Sequence, residues 1–160
     1  MSIVNKLIHL SGLAIRGLEF LTPVVELGAR LWLANVFWKS GMTKITSWDS
    51  TLSLFNYVYT VPVLPPELAA VLSTAVELGG AALLAIGLAG RFGTAALFIL
   101  NIVAVVSYPD LSVVGLKDHF YWGLLLAIFL VRGPGKLSVD YWIRSRFMNS
   151  SSSRTPSSAL

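Results

Sequence analysis

Long apolar runs, each bounded by prolines, glycines or charges, recur four times along this chain. The first extends from Leu21 to about Met42, entered through Pro23, and the second from Pro66 to Leu88. Pro62, Pro65 and Pro66 mark the approach to the second, and Gly87-Leu88-Ala89-Gly90 its exit. The third covers Phe92 to Tyr108 and stops at Pro109; the fourth covers about Lys117 to Val131 and stops at Arg132-Gly133-Pro134-Gly135. A helix needs roughly 20 apolar residues to cross a bilayer. The fourth run is shorter, and reaches that length if Lys117-Asp118-His119 sit at headgroup depth. The pattern therefore predicts an all-α membrane protein, a four-transmembrane-helix bundle over residues 21–132.

The flanks read differently. In residues 1–20, Ile3, Leu7, Leu10, Ala14 and Leu18 share one helical face, while Asn5, His9, Gly12, Arg16 and Glu19 share another. This predicts an amphipathic helix lying along the membrane surface. His9 interrupts any signal-peptide apolar core, and no small-x-small cleavage site follows. Segment 43–65 is expected to lie outside the membrane, with Asp49-Ser50 capping a short helix through Phe55 and extended, proline-rich chain after it. Residues 133–148 turn amphipathic again, setting Leu137, Tyr141 and Trp142 against Lys136, Arg144 and Arg146, and 149–160 has the composition of a disordered tail.

Composition narrows the chemistry. Of 160 residues, 55% are hydrophobic and 12% charged, and mean hydropathy is +0.72. A soluble domain carries about 25% charged residues, and disordered chains are poor in Leu, Ile, Val and Phe. With no cysteine, a disulfide, a thiolate zinc site, a cysteine-ligated iron–sulfur cluster and a dithiol relay are all excluded. His9 and His119 fall on opposite sides of a core ~30 Å thick, so they cannot jointly ligate a haem or a metal. No phosphate-cradling loop, nucleophile elbow, zinc-protease motif or dinucleotide fingerprint occurs.

An even number of spans puts both termini on one side. Lys6, Arg16, Arg91, Arg132, Lys136, Arg144, Arg146 and Arg154 fall there, against Lys39, Lys44 and Lys117 opposite. By the positive-inside rule both termini are expected in the cytoplasm, which makes 43–65 extracytoplasmic. Basic residues beside spans favour anionic lipid headgroups over nucleic acid as partners.

Charges inside apolar spans are costly, by at least ~2.5–3.5 kcal/mol each, and are functional candidates by default. Counting ~1.5 Å per residue, Arg30, Glu77 and Asn101 come to similar depths near the midplane. Glu26 lies one helical turn from Arg30. The expectation is an intramembrane cluster of Glu26, Arg30 and Glu77, with Asn101 supplying hydrogen bonds, acting either as packing glue or as a ligand site. Near the outer face, Lys39 and Lys44 are binding candidates, and His119 beside Asp118 is the one pair with acid–base potential near neutral pH.

Leu27-Gly28-Ala29-Arg30-Leu31, Ser40-Gly41-Met42-Thr43-Lys44-Ile45, Glu77-Leu78-Gly79-Gly80 with Gly87-Leu88 and Arg91, and Gly133-Pro134-Gly135-Lys136-Leu137-Ser138-Val139-Asp140 together resemble the DoxX family of small four-span membrane proteins. The stretch Lys44-Ile45-Thr46-Ser47-Trp48-Asp49-Ser50-Thr51 with Val61-Pro62-Val63-Leu64-Pro65-Pro66 further resembles members encoded beside copper-handling peptide systems. The resemblance implies a bacterial inner-membrane protein, associated in some relatives with quinone-linked oxidoreductases. The leading expectation is thus a membrane subunit of a redox complex exchanging electrons with the quinone pool, its electrons coming from a partner subunit. The alternative is a non-enzymatic scaffold or assembly factor that docks a partner through 43–65. Solute transport is a third, and would require a homo-oligomer.

Overall fold

A computed structural model describes residues 3–148, so the expected disordered tail at 149–160 lies outside the described residues. Six helices follow one another: α1 (Ile3–Thr46), α2 (Trp48–Tyr57), α3 (Pro66–Ile86), α4 (Gly90–Ser107), α5 (Val113–Arg132) and α6 (Val139–Met148). No strand occurs among the described residues. Four of the helices, α1, α3, α4 and α5, are long and apolar enough to cross a membrane. The protein is an all-α membrane bundle.

Local chemistry sets the helix ends. Pro65 and Pro66 open α3, where a missing N–H costs nothing, and Gly87 closes it in the left-handed conformation at φ 71°. The Ser112 hydroxyl accepts from the Gly115 N–H at 3.1 Å and starts α5 at Val113, about one turn earlier than hydropathy indicates. Asp49-Ser50 does not cap α2. That helix begins at Trp48, with Asp49 in its first turn.

The expected break between an interfacial helix and the first span is absent, because α1 passes through both as one helix with Pro23 inside it. Described side chains between residues 5 and 21 are exposed apart from Gly12. α1 first meets the rest of the bundle around Glu26, which faces Arg132, and the exposed residues before Thr22 project beyond it.

Leu33, Ala34 and Phe37 of α1, Ala81 and Leu84 of α3, Leu97 of α4, and Leu126 and Phe129 of α5 form the main core. α3 and α4 cross closely at Gly80 and Gly93. A Cβ on Gly80 would stand 2.8 Å from the Leu97 side chain, and one on Gly93 would stand 2.9 Å from Leu83. Small residues permit this approach where lipid offers no hydrophobic drive for helix association. A second, smaller core joins Phe55 of α2 to Ala69 and Ala70 of α3. It packs α2 against the first turns of α3, while α1 meets α3 further along, at Leu78.

Candidate ligand-binding site

That register separates the expected midplane cluster into three sets. α1 and α3 run antiparallel, with Gly41 against Leu78 and Arg30 beside Gly87. Arg30 therefore sits level with the turn after α3, some ten residues along that helix from Glu77, or ~15 Å at the helical rise. It is 2% exposed and donates to the carbonyls of Pro134 and of Leu137, the latter at 2.7 Å. Glu26 faces Arg132 across 3.4 Å at the same end. Depth counted from Leu21 misplaced Arg30, because α1 extends well below the bundle.

Glu77 lies toward the opposite, α2 end and binds Lys44, with both carboxylate oxygens 2.6 Å from Nζ. Ser40 Oγ donates to Glu77 Oε1 at 3.1 Å and accepts from Lys44 Nζ at 3.1 Å. One turn of α1 thus supplies both partners of a carboxylate on α3. Thr51 Oγ1 of α2 donates to the Lys44 carbonyl at 3.1 Å and locks α2 over the pair. Lys39 is exposed and stands outside this group.

Asn101 joins His119 instead of the acidic cluster. Its Nδ2 donates to the His119 carbonyl at 2.9 Å, and its Oδ1 lies 2.8 Å from His119 Nδ1. With Oδ1 as acceptor, the imidazole carries its proton on Nδ1 and keeps Nε2 as the second polar position. The ring stands edge-on to Trp122, centroids 4.9 Å apart. Asp118 is exposed, and His119 makes its side-chain hydrogen bond to Asn101 rather than to it.

Both sets border one cavity of about 410 Å³, a size within the range of small-molecule sites. Ser40, Lys44, Ser73, Glu77 and His119 contribute polar groups, while Val76, Ala96, Leu100, Val103 and Ala104 form apolar wall. Leu64, Leu72 and Ile99 also line it and are themselves exposed, so one side faces the lipid. The chain after α2 roofs it: the Thr60 N–H donates to the Ser107 carbonyl at 2.8 Å, and Tyr59 stacks edge-on between Phe55 and Tyr108 at 5.1 and 5.3 Å. Burial, with Tyr108 and Glu77 nearby, raises the Tyr59 pKa and keeps that phenol a neutral hydrogen-bonding group. Ser107, 3% exposed, lines the same cavity, and its buried Oγ has no hydrogen-bond partner among the described residues. An orphaned buried hydroxyl calls for an explanation, and a bound ligand is one.

Sequence reading named Lys44, Glu77, Asn101 and His119 but divided them between two sites. Tyr59, Ser73, Ser107 and Tyr108 escaped it, because single hydroxyls carry no periodic signal. Among the described residues no three His, Asp or Glu side chains gather as metal ligands.

A family model described as DoxX matches residues 25–109. The match takes in Arg30, Lys44, Glu77, Asn101 and Ser107, and stops before His119. Neither the curated proteins nor the solved structures give a match.

Proposed function

The chain belongs to the DoxX family, and on that premise we propose that it is the membrane subunit of a redox complex that exchanges electrons with the quinone pool of the bacterial inner membrane. The observation that carries this reading is the lipid-facing cavity with a buried ion pair, a histidine and an unpartnered serine on its walls. The donor set fits a quinone headgroup. Such a group offers two carbonyl acceptors on an apolar ring, and Tyr59 and Ser107, both lining the cavity, carry hydroxyls able to donate to them. A bound quinone supplies two-electron redox capacity that no residue of this cysteine-free chain has.

The chain's own residues do the rest. Leu64, Leu72 and Ile99 leave the cavity open toward lipid, the phase in which a quinone dissolves. Lys44 and Glu77, held by Ser40, keep opposite charges at the wall, and electrons arrive from a partner subunit. The test is quantification of quinone copurifying with the protein in mild detergent. Wild type should retain it, and Ala104→Phe, which fills the cavity, should lose it while still melting cooperatively. A wild-type protein free of quinone, with no effect on quinone-dependent turnover of its partner, sinks the reading.

One observation favours the scaffold alternative. Tyr57 and Val63 stand 87% and 100% exposed at the α2 end, outside the spans. As a scaffold, the protein would keep its partner after Ala104→Phe and lose it after Tyr57→Ser with Val63→Ser; the redox reading predicts that Ala104→Phe abolishes activity with the complex intact.

A further inference from the structure

At the α6 end a larger cleft, of about 1100 Å³, opens between α1, the α3–α4 turn, the loop after α5 and α6. Four cations line it, Arg91, Arg132, Lys136 and Arg144, with the carboxylates Glu19, Glu26 and Asp140. Two of the carboxylates are engaged. Glu26 faces Arg132 at 3.4 Å, and Asp140 accepts the N–H groups of Ala89 and Gly90 at 2.9 and 2.8 Å. Arg91 donates only to the Val131 carbonyl, at 3.2 Å, and Lys136 and Arg144 have no ion-pair partner among the described residues. With Arg132 and Glu26 paired, three cations are left against Glu19 and Asp140, and the cleft keeps a net positive charge.

The cleft is built, not a chance gap between loops. Arg30 holds the Pro134 and Leu137 carbonyls, Ser138 Oγ donates to the Gly135 carbonyl at 2.6 Å, and Gly133 and Gly135 take φ values of 88° and 80° that favour glycine. Its level is set by the first residue of α4 and the last of α5, where two spans leave the bilayer. Phe92 and Tyr141, both lining it, are 75% and 50% exposed. Cations at headgroup depth beside exposed aromatic rings match an amphiphile with an anionic head.

We infer that this cleft seats the phosphate of an anionic phospholipid, held by Arg91, Lys136 and Arg144, with Phe92 and Tyr141 against its acyl chains. Free phosphate shares the head chemistry but makes no use of the aromatic rim, so lipid is the occupant the cleft fits. The site stands apart from the cavity at the α2 end and does not depend on its ligand.

Native mass spectrometry of the full-length protein in detergent, titrated with phosphatidylglycerol, phosphatidylcholine and inorganic phosphate, tests this. Wild type should favour phosphatidylglycerol over phosphatidylcholine by about ten-fold or more, on the scale of two surface cations. Lys136→Gln with Arg144→Gln should remove most of that preference; both residues are exposed, so the fold should survive. The charge-matched pair Arg16→Gln with Arg146→Gln, outside the cleft, should keep it. Should the double variant fail to purify, Arg144→Gln alone should still weaken the preference measurably. Equal affinity for the two lipids overturns the proposal, as does equal loss in both double variants, which would mean diffuse charge attraction. Displacement of lipid by inorganic phosphate at comparable concentration would reassign the cleft to a soluble anion.

Discussion

Lys44 and Glu77 form the more buried of the two ion pairs among the described residues. Their side chains are 19% and 9% exposed, and the pair spans two helices. Removing one partner of a buried pair costs more than removing both, because the remaining charge stays in an apolar site. Lys44→Met should therefore destabilise the protein by about 3 kcal/mol, while Lys44→Met with Glu77→Leu should recover most of the loss. Thermal melting in detergent, followed by tryptophan fluorescence, reads both; a double variant no better than the single would show that the pair is not the local unit of stability. From the sequence Glu77 is a costly charge grouped with Arg30, while Lys44 falls among the outer-face binding candidates. A charge in an apolar run announces that it needs a partner, and nothing in the run says which helix provides it.

Helix existence was legible at the scale of elements, whereas register was not. Hydropathy and proline or glycine punctuation located α3 and α4 to within a residue or two. The level at which α1 meets α3 is seen in Gly41 against Leu78 and Arg30 beside Gly87, with Phe55 of α2 packed on Ala69 and Ala70 in the first turns of α3. That packing is tertiary, and it moved Glu77 from Arg30 to Lys44. The α3–α4 turn is a second case. Ala89 adopts φ 47°, a strained choice for a residue with a Cβ, and the Asp140 carboxylate satisfies its N–H and that of Gly90 from 51 and 50 residues away in sequence. Asp140→Ala should cost about 1–2 kcal/mol, as loss of a helix cap does. It should also loosen α6, whose remaining tie to that turn is the Asp140 N–H on the Gly87 carbonyl at 3.0 Å. Hydrogen exchange should then rise at Ala89, Gly90 and across α6, and remain unchanged at the Gly80–Gly93 crossing. Uniform acceleration along the chain would assign Asp140 to global stability instead.

For the whole molecule, charge separates the two ends of the bundle. Arg16, Arg91, Arg132, Lys136, Arg144 and Arg146 lie toward the α6 end, and Lys39, Lys44 and Lys117 toward the α2 end. The α6 end is expected in the cytoplasm. A chain without cysteine lets single introduced thiols report alone: a membrane-impermeant maleimide should label Asp110→Cys in intact cells and Lys136→Cys only after lysis. The reverse pattern would invert the protein and place the ion-pair cavity on the cytoplasmic side. One consequence belongs to α1 alone. Pro23 lacks the N–H that would bond back to Glu19, so the helix has a mechanical pivot just below the bundle. From there to Asn5 the arm measures about 27 Å, and a swing of about ten degrees carries its tip by about 5 Å. Below the pivot α1 continues as helix with exposed side chains, and four residues past Glu26 on the bundle side comes Arg30, which grips the floor of the α6-end cleft. A load applied to the exposed arm is thus taken up as bending at Pro23, so the arm can follow whatever it touches while Arg30 and the loop it holds stay in place.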